Sequence, residues 1–147
     1  MKRILVAVDL SESSLRAVDL AADLAAKYGA ELIMLTIGYE IGGPDPGMQA
    51  YMRLEHIQES LSTLAIESMR EELAEVCRRA AAKGAPNIST DVLVGDPAEQ
   101  ILGCAEARQA DLIALGSRGH GRLAGLLLGS VTQKVVALAH CAVLVVH

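Results

Sequence analysis

A glycine-rich loop near the C-terminus is the part of this 147-residue chain that is best suited to chemistry. Gly116, Gly119 and Gly129 follow a Gly-x2-Gly-x9-Gly-Ser pattern that ends on Ser130. The loop follows a short apolar run and leads into a helical pattern. Glycines let backbone N–H groups approach phosphate oxygens, and a helix N-terminus adds partial positive charge. The pattern therefore predicts a site for a nucleotide or another phosphorylated ligand.

Two better-known phosphate-binding loops do not fit this segment. A Walker A loop requires Gly-x4-Gly-Lys-Ser/Thr, and the lysine is missing before Ser130. A dinucleotide fingerprint requires Gly-x-Gly-x-x-Gly, whereas Gly121 and Gly125 are one residue too far apart and late in the chain. The alternative that the glycines only form tight turns stays open, but a serine at the following helix start favours a ligand.

The elements that must position this loop alternate between buried strands and helices. Apolar runs rich in β-branched residues predict strands at Arg3–Val8, Glu31–Ile37, Ile88–Val94, Asp111–Leu115 and Cys141–Val146. Helical periodicity and cap residues predict helices at Ser11–Tyr28, Met48–Lys83, Asp96–Gln109 and Ser130–Ala139. This alternation predicts an α/β fold, an open parallel sheet with helices on both faces and right-handed crossovers.

Local signals mark the helix boundaries. Gly29 is expected to stop the first helix, and Asp96 followed by proline is a strong start for the third. Gly42–Gly47 is a loop by composition. The long helix that follows it exceeds the usual length, so we expect a kink or break near Ser60–Thr63. The loop and this helix either cover the ligand or form a partner surface.

Composition argues against nucleic acids and membranes as partners. The net charge is -5 and aromatic residues make up 2% of the chain, so neither a basic field nor a base-stacking platform is expected. No apolar stretch approaches the roughly 18 residues that span a bilayer. The three cysteines form no CxxC motif and are expected to be free buried thiols in a reducing cytoplasm.

Asp9 is the polar residue best placed to share a site with the glycine loop. Ligands of open α/β sheets bind beyond the carboxyl ends of the strands. Asp9 follows the first predicted strand and Gly116 follows the fourth, so the two meet in one crevice if those strands are neighbours, as in common topologies of this class. The alternative is that Asp9 caps the first helix, although Ser11 is the more natural cap.

Three segments together resemble the universal stress protein family: Val6–Ser14, Val94–Ile101 and the loop from Gly116 to Ser130. The resemblance covers essentially the whole chain and implies one nucleotide-binding domain over residues 1–147. It implies a five-stranded parallel sheet in the order 3-2-1-4-5, ATP binding, and a homodimer through the last strand. One departure is Ala142, because the family often has proline after the cysteine of that strand, where it would blunt an exposed edge.

The resemblance also implies the residues around the nucleotide. Those that border the adenosine are Ala7, Val8, Asp9, Ile37, Leu115 and Gly116. Of these, Asp9 lies near the ribose, where its carboxylate can accept hydrogen bonds from the hydroxyl groups, and Ile37 packs on adenine. Those around the phosphates are Gly119, Gly129, Ser130, Val131 and Thr132. Ser130 either caps its helix or binds a phosphate oxygen, and Arg118 and Arg122 can add charge-assisted contacts.

Taken together, these features predict a cytoplasmic ATP-binding regulatory protein of the stress response that acts as a nucleotide-dependent dimer with an unidentified protein partner. One rival is a slow ATPase or phosphotransfer enzyme. Strong catalysis needs a placed base, a metal carboxylate or a lysine on the phosphates, and no convincing set is present, so hydrolysis should be weak. The other rival is a dimeric module whose pocket is empty or holds AMP. Whether Mg²⁺ accompanies ATP stays open.

Overall fold

The structure is a computed structural model that describes residues 1–38, 57–119 and 128–147, with the backbone alone for 57–62. Its strands are β1 (Arg3–Ala7), β2 (Glu31–Gly38), β3 (Asn87–Val94), β4 (Leu112–Gly116) and β5 (Ala142–Val146). Its helices are α1 (Glu12–Tyr28), α2 (Ile57–Ala82), α3 (Pro97–Ala107) and α4 (Ser130–Leu138). Strands and helices alternate along the chain, which confirms the predicted α/β class.

The strands form one parallel sheet in the order β3-β2-β1-β4-β5, as predicted. β1 lies at the centre, with Val6 paired to Met34 of β2 on one side and to Ala114 of β4 on the other. The carboxyl ends of β1 and β4 are therefore adjacent. This adjacency, which sequence spacing did not establish, brings the residues after both strands to the same crevice.

Each face of the sheet carries its own apolar core. On one face, α1 and α2 cover side chains such as Ile4 and Met34, both fully buried. On the other face, α3 and α4 cover Leu5 and Ile113, which are also fully buried. Because β1 is covered on both sides, its apolar residues are continuous rather than alternating.

α1 ends at the predicted Tyr28 and begins one residue after the predicted Ser11. Ser11 is the N-cap, and its side-chain oxygen accepts from the backbone N–H of Ser14. Gly29 is the C-cap at φ 63, a left-handed conformation that glycine adopts without steric cost. Alanines at 17, 21, 22 and 25 are fully buried, so the helix backbone packs closely on the sheet.

The structure differs in part from what was expected of α2. The helix is continuous from Ile57 to Ala82, so of the kink or break expected near Ser60–Thr63, a break does not occur. Helical periodicity places Leu64, Leu73 and Val76 on one apolar stripe of this helix; Leu73 and Val76 are buried, whereas Leu64 is 61% exposed. The Gly42–Gly47 loop and the start predicted at Met48 lie outside the described residues.

Several helices and strands begin or end one or two residues from the predicted positions, and two of these differences have an identifiable reason. Gln109 has φ 51, which is incompatible with continuing α3. Asp111 lies before β4 and uses its carboxylate to accept from the backbone N–H groups of Lys2 and Arg3. The other residues outside their predicted elements are Val8, Ser11, Lys83, Asp96, Arg108, Ala139 and Cys141, whereas β2, β3 and β4 gain Gly38, Asn87 and Gly116.

Candidate functional site

A cavity of about 630 Å³ lies at the carboxyl ends of β1, β2 and β4. Its walls come from these strand ends, from the first turns of α1 and α4, and from α2 and α3. All twelve residues predicted for the site line it: Ala7, Val8, Asp9, Ile37, Leu115, Gly116, Arg118, Gly119, Gly129, Ser130, Val131 and Thr132. Residues that are scattered over the sequence therefore surround one volume.

Gly116 is required by close packing rather than by a turn. A β-carbon on Gly116 would lie 2.5 Å from Ser13 Oγ and 2.7 Å from the backbone nitrogen of Ser14. Ser13 Oγ also donates to the Arg118 carbonyl at 2.5 Å, and Thr132 Oγ1 donates to the Gly116 carbonyl at 2.9 Å. The missing side chain thus lets the first turn of α1 approach β4 and hold the start of the loop. None of the three motif glycines has a positive φ, so none is required by a left-handed backbone conformation.

Asp9 connects the end of β1 to the glycine loop. Its Oδ1 accepts from the backbone N–H of Ser11 at 2.9 Å and from Ser11 Oγ at 2.5 Å. A β-carbon on Gly119 would lie 2.5 Å from Asp9 Oδ2, so the carboxylate lies against this glycine. Since Ser11 is the N-cap of α1, the capping alternative for Asp9 is wrong. The carboxylate instead closes a local turn and lines the cavity.

Leu10, which follows Asp9, adopts an unusual backbone conformation. Its φ is 63, in the left-handed region that costs a non-glycine residue about 1–2 kcal/mol. The side chain is 38% exposed and lines the cavity. Strain of this kind concentrates at functional sites. Here the conformation reverses the chain after β1, so that Asp9 Oδ1 meets the Ser11 amide.

The N-terminus of α4 forms the polar end of the cavity. Gly129 is the N-cap and makes no side-chain cap hydrogen bond; its own N–H donates to the Ser117 carbonyl at 2.7 Å. The expectation that Ser130 caps the helix is wrong, because Ser130 is already the first helical residue. The amides of the first turn lack acceptors within the helix and carry partial positive charge. This end of the cavity therefore suits an anion.

Charged side chains around this end are few. Arg118 is exposed and is the one cation among the described residues that line the cavity. Lys134, one turn into α4, instead contacts Asp96 Oδ1 and Glu99 Oε1, both at 3.3 Å. Arg122 lies outside the described residues. Over the described part of the chain, no three His, Cys, Asp or Glu side chains are placed to hold a metal ion.

The opposite wall of the cavity comes from α2, for which covering the ligand was one of the two roles left open, but its lining residues were not predicted. Ala65, Met69 and Glu72 line the cavity from one side of this helix. A β-carbon on Gly38, the last residue of β2, would lie 3.2 Å from Sδ and Cε of Met69, so Met69 packs over the strand end. These three residues are spaced by four and then three positions, which places them on one side of a helix. This spacing was the sequence signal that could have identified them. The remaining residues missed by sequence reasoning are Leu10, Ser14, Leu35, Thr36, Gly38, Pro97, Ile101 and Leu128.

The three cysteines are free thiols away from the described cavity lining. Burial raises the pKa of Cys104 to about 11, with the Asp91 carboxylate adding to the shift. Burial also raises the pKa values of Cys77 and Cys141. Cys104 is buried as expected, whereas Cys77 and Cys141 are only half-buried. A raised pKa keeps each thiol protonated at neutral pH and therefore a poor nucleophile.

Comparisons with known proteins identify similar sequences and similar folds. The sequence profile described as the Universal stress protein family matches residues 1–147. A universal stress protein of Thermus aquaticus is 40% identical over 148 aligned positions, covering 99% of this chain and 98% of the relative. The solved structure of hypothetical protein MJ0577 superposes with a TM-score of 0.83 at 27% identity, covering 99% of this chain and 94% of that one. A universal stress protein in complex with cAMP superposes with a TM-score of 0.72 at 33% identity, covering 99% and 96%.

Proposed function

Since this chain belongs to the universal stress protein family, we propose that residues 1–147 form one ATP-binding regulatory domain of the stress response. One observation carries the proposal: the twelve residues expected around ATP line a single cavity of about 630 Å³. A cavity of this size is within the range of small-molecule sites. The cAMP complex of a relative supports an adenine nucleotide as the ligand class.

The direction in which ATP lies follows from the order of the strands. Its phosphates lie at the first turn of α4 and at Gly119, where backbone amides offer donors. The ribose lies above β1, where Asp9 accepts from its hydroxyls, and the adenine lies by Ile37 at the end of β2. Adjacent strands are about 4.8 Å apart, so β4 and β2 are separated by roughly 10 Å, comparable to the span from phosphates to base.

We propose that the protein binds ATP and turns it over weakly at most. The cavity has a carboxylate, Asp9, at the proposed ribose position and an arginine, Arg118, near the proposed phosphate position. Phosphoryl transfer needs in addition a nucleophile-orienting group and metal ligands. Whether Mg²⁺ binds with ATP is decided by titrations with and without the ion.

We further propose that ATP binding changes a surface of the domain that an unidentified partner protein recognises.

A homodimer through β5 is part of the proposal. Among the described strands, β5 is paired with β4 alone, and its residues Val143–Val146 are half-buried. On α4, the helix that precedes β5 in the chain, Val136 and Leu138 are 46% and 52% exposed. An unpaired strand edge invites pairing with a second copy. Ala142, where the family often has proline, has a backbone N–H that proline would lack.

We also propose a cytoplasmic location, as expected from the resemblance and from the free thiols. No helix within the described ranges is long and apolar enough to cross a membrane.

A nucleoside monophosphate is the second candidate ligand, because a relative has been solved with cAMP. The test is to denature freshly purified protein, identify any released nucleotide, and titrate the stripped protein with ATP, AMP and cAMP by calorimetry. ATP binding near one per chain, tighter than AMP and cAMP, supports the proposal. If AMP or cAMP binds more tightly than ATP, the proposed ligand becomes a nucleoside monophosphate. If none of the three binds, the proposal of a nucleotide site is refuted.

A further inference from the structure

We infer that the α2 wall reads the base: the carboxylate of Glu72 accepts a hydrogen bond from the exocyclic amino group of adenine, and Met69 packs on the ring. This inference rests on the proposed function, which places the base at the end of β2. Neither residue belongs to the glycine motif or to the sequence-predicted site. Both line the same cavity from α2, the helix for which covering the ligand and forming a partner surface were the alternatives.

Met69 is held where a flat ring would meet it. Its Sδ and Cε lie 3.2 Å from the position of a β-carbon on Gly38, so the absent side chain of Gly38 lets the thioether cover the end of β2. Ile37, the residue expected to pack on adenine, immediately precedes this glycine and also lines the cavity. A methionine sulfur makes favourable contacts with aromatic rings and adapts its shape to them.

Glu72 lies on the flank of α2 that faces α1 and the cavity. Arg79, two turns further along the same flank, donates from Nε to Asp19 Oδ1 of α1 at 2.7 Å, which fixes the direction of this flank. Glu75, in contrast, pairs with Arg78 within α2. Glu72 and Asp9 are therefore the two carboxylates among the described residues that line the cavity.

The two carboxylates have different partners on a nucleotide. An ionised carboxylate only accepts hydrogen bonds, so each must face a donor. The donors of an adenine nucleotide are the ribose hydroxyls and the exocyclic amino group. With Asp9 assigned to the ribose, the amino group is left for Glu72. A base with a keto oxygen in that place would bring an acceptor against the carboxylate and bind more weakly.

The test removes the amino group and the carboxylate separately. Affinities of ATP and of purine riboside triphosphate, which has hydrogen in place of the amino group, are measured by calorimetry for three stripped proteins. These are the unmodified chain, Glu72→Ala, and the control Glu71→Ala, which removes the neighbouring exposed carboxylate that is not among the residues lining the cavity. Both changes are at exposed helical positions, and circular dichroism checks folding.

We expect the unmodified chain and Glu71→Ala to bind ATP about ten-fold more tightly than purine riboside triphosphate, because a hydrogen bond to a charged group contributes about this much. We expect Glu72→Ala to bind the two nucleotides equally. A Glu72→Ala protein that keeps the preference overturns the inference while leaving ATP binding intact. A preference for ATP over 2′-deoxy-ATP that disappears in Glu72→Ala also overturns it, because Glu72 would then bind the ribose. If the unmodified chain does not bind ATP, the proposed function itself fails.

Discussion

The carboxylate of Asp9 lies against Gly119, so that a β-carbon on this glycine would be 2.5 Å from Asp9 Oδ2. The two residues are 110 positions apart in the sequence and meet because β1 and β4 are neighbours. The same carboxylate accepts from Ser11 through Oδ1. Asp9 is thus fixed between the first turn of α1 and the glycine loop, at the centre of the proposed nucleotide site.

We predict that Asp9→Ala weakens ATP binding by about ten-fold or more, because it removes the acceptor proposed for the ribose hydroxyls. Asp9→Asn keeps an oxygen for the Ser11 amide and should lose less affinity. Calorimetry with ATP and 2′-deoxy-ATP measures both effects. If Asp9→Ala instead abolishes a measurable ATPase rate and leaves ATP affinity unchanged, Asp9 acts in catalysis and the slow-enzyme rival is favoured.

We predict that Leu10→Gly stabilises the fold by about 1 kcal/mol or slightly less. The change relieves the left-handed strain at φ 63, offset in part by the larger backbone entropy of glycine in the unfolded chain. Urea unfolding measures the difference. Leu20→Gly is the matched control, because Leu20 is 39% exposed, close to the 38% of Leu10, but lies inside α1. The control should lower the free energy of unfolding by about 1 kcal/mol. An equal decrease in both variants would contradict backbone strain at Leu10.

The fold could be predicted from sequence because each element carries its own signal. Apolar β-branched runs identified the strands, and Asp96 followed by Pro97 identified the start of α3, where the Asp96 side chain does accept from the Glu99 amide. The strand order was not contained in these local patterns and came from the resemblance. The predicted helix start at Ser130 is confirmed, whereas the capping alternative for Ser130 is wrong because the N-cap of α4 is Gly129, which has no capping side chain.

The parts of the site that sequence did not reveal depend on tertiary geometry. Leu10 carries no signal for a positive φ, since glycine and asparagine are the residues that usually adopt it. Met69 and Glu72 lie beside the core stripe of α2, of which Leu73 is a member, and periodicity alone does not separate a flank that lines a cavity from one that faces solvent.

We predict that Asp111→Asn reduces the acid sensitivity of the fold. Hydrogen bonds from the Lys2 and Arg3 amides lower the pKa of Asp111 in the folded state. A lowered folded pKa gives stability that is present above the unfolded pKa of about 3.9 and is lost as the pH falls through the folded value. Urea unfolding measures the free energy of unfolding from about pH 6 to about pH 2. This free energy should fall less for Asp111→Asn than for the unmodified chain. An unchanged or larger loss would contradict this assignment.

We predict that Leu138→Asp shifts the protein from dimer to monomer, because it places a charge on an exposed apolar residue at the end of α4, the helix that leads into β5. Sedimentation velocity measures the change. The control Leu20→Asp alters a leucine of lower exposure on α1 and should leave the dimer intact. An unmodified chain that is monomeric at every concentration would refute the proposed interface.

The most direct test of the nucleotide site is the ATP affinity of Gly119→Ala beside that of Gly103→Ala. The first change directs a β-carbon at Asp9 Oδ2 inside the cavity, whereas a β-carbon on Gly103 in α3 meets nothing within 4 Å. We predict that Gly119→Ala lowers the ATP affinity measured by calorimetry by about ten-fold or more, with Gly103→Ala unchanged. Equal ATP affinities for the two variants and the unmodified chain would contradict a nucleotide site between Asp9 and the glycine loop.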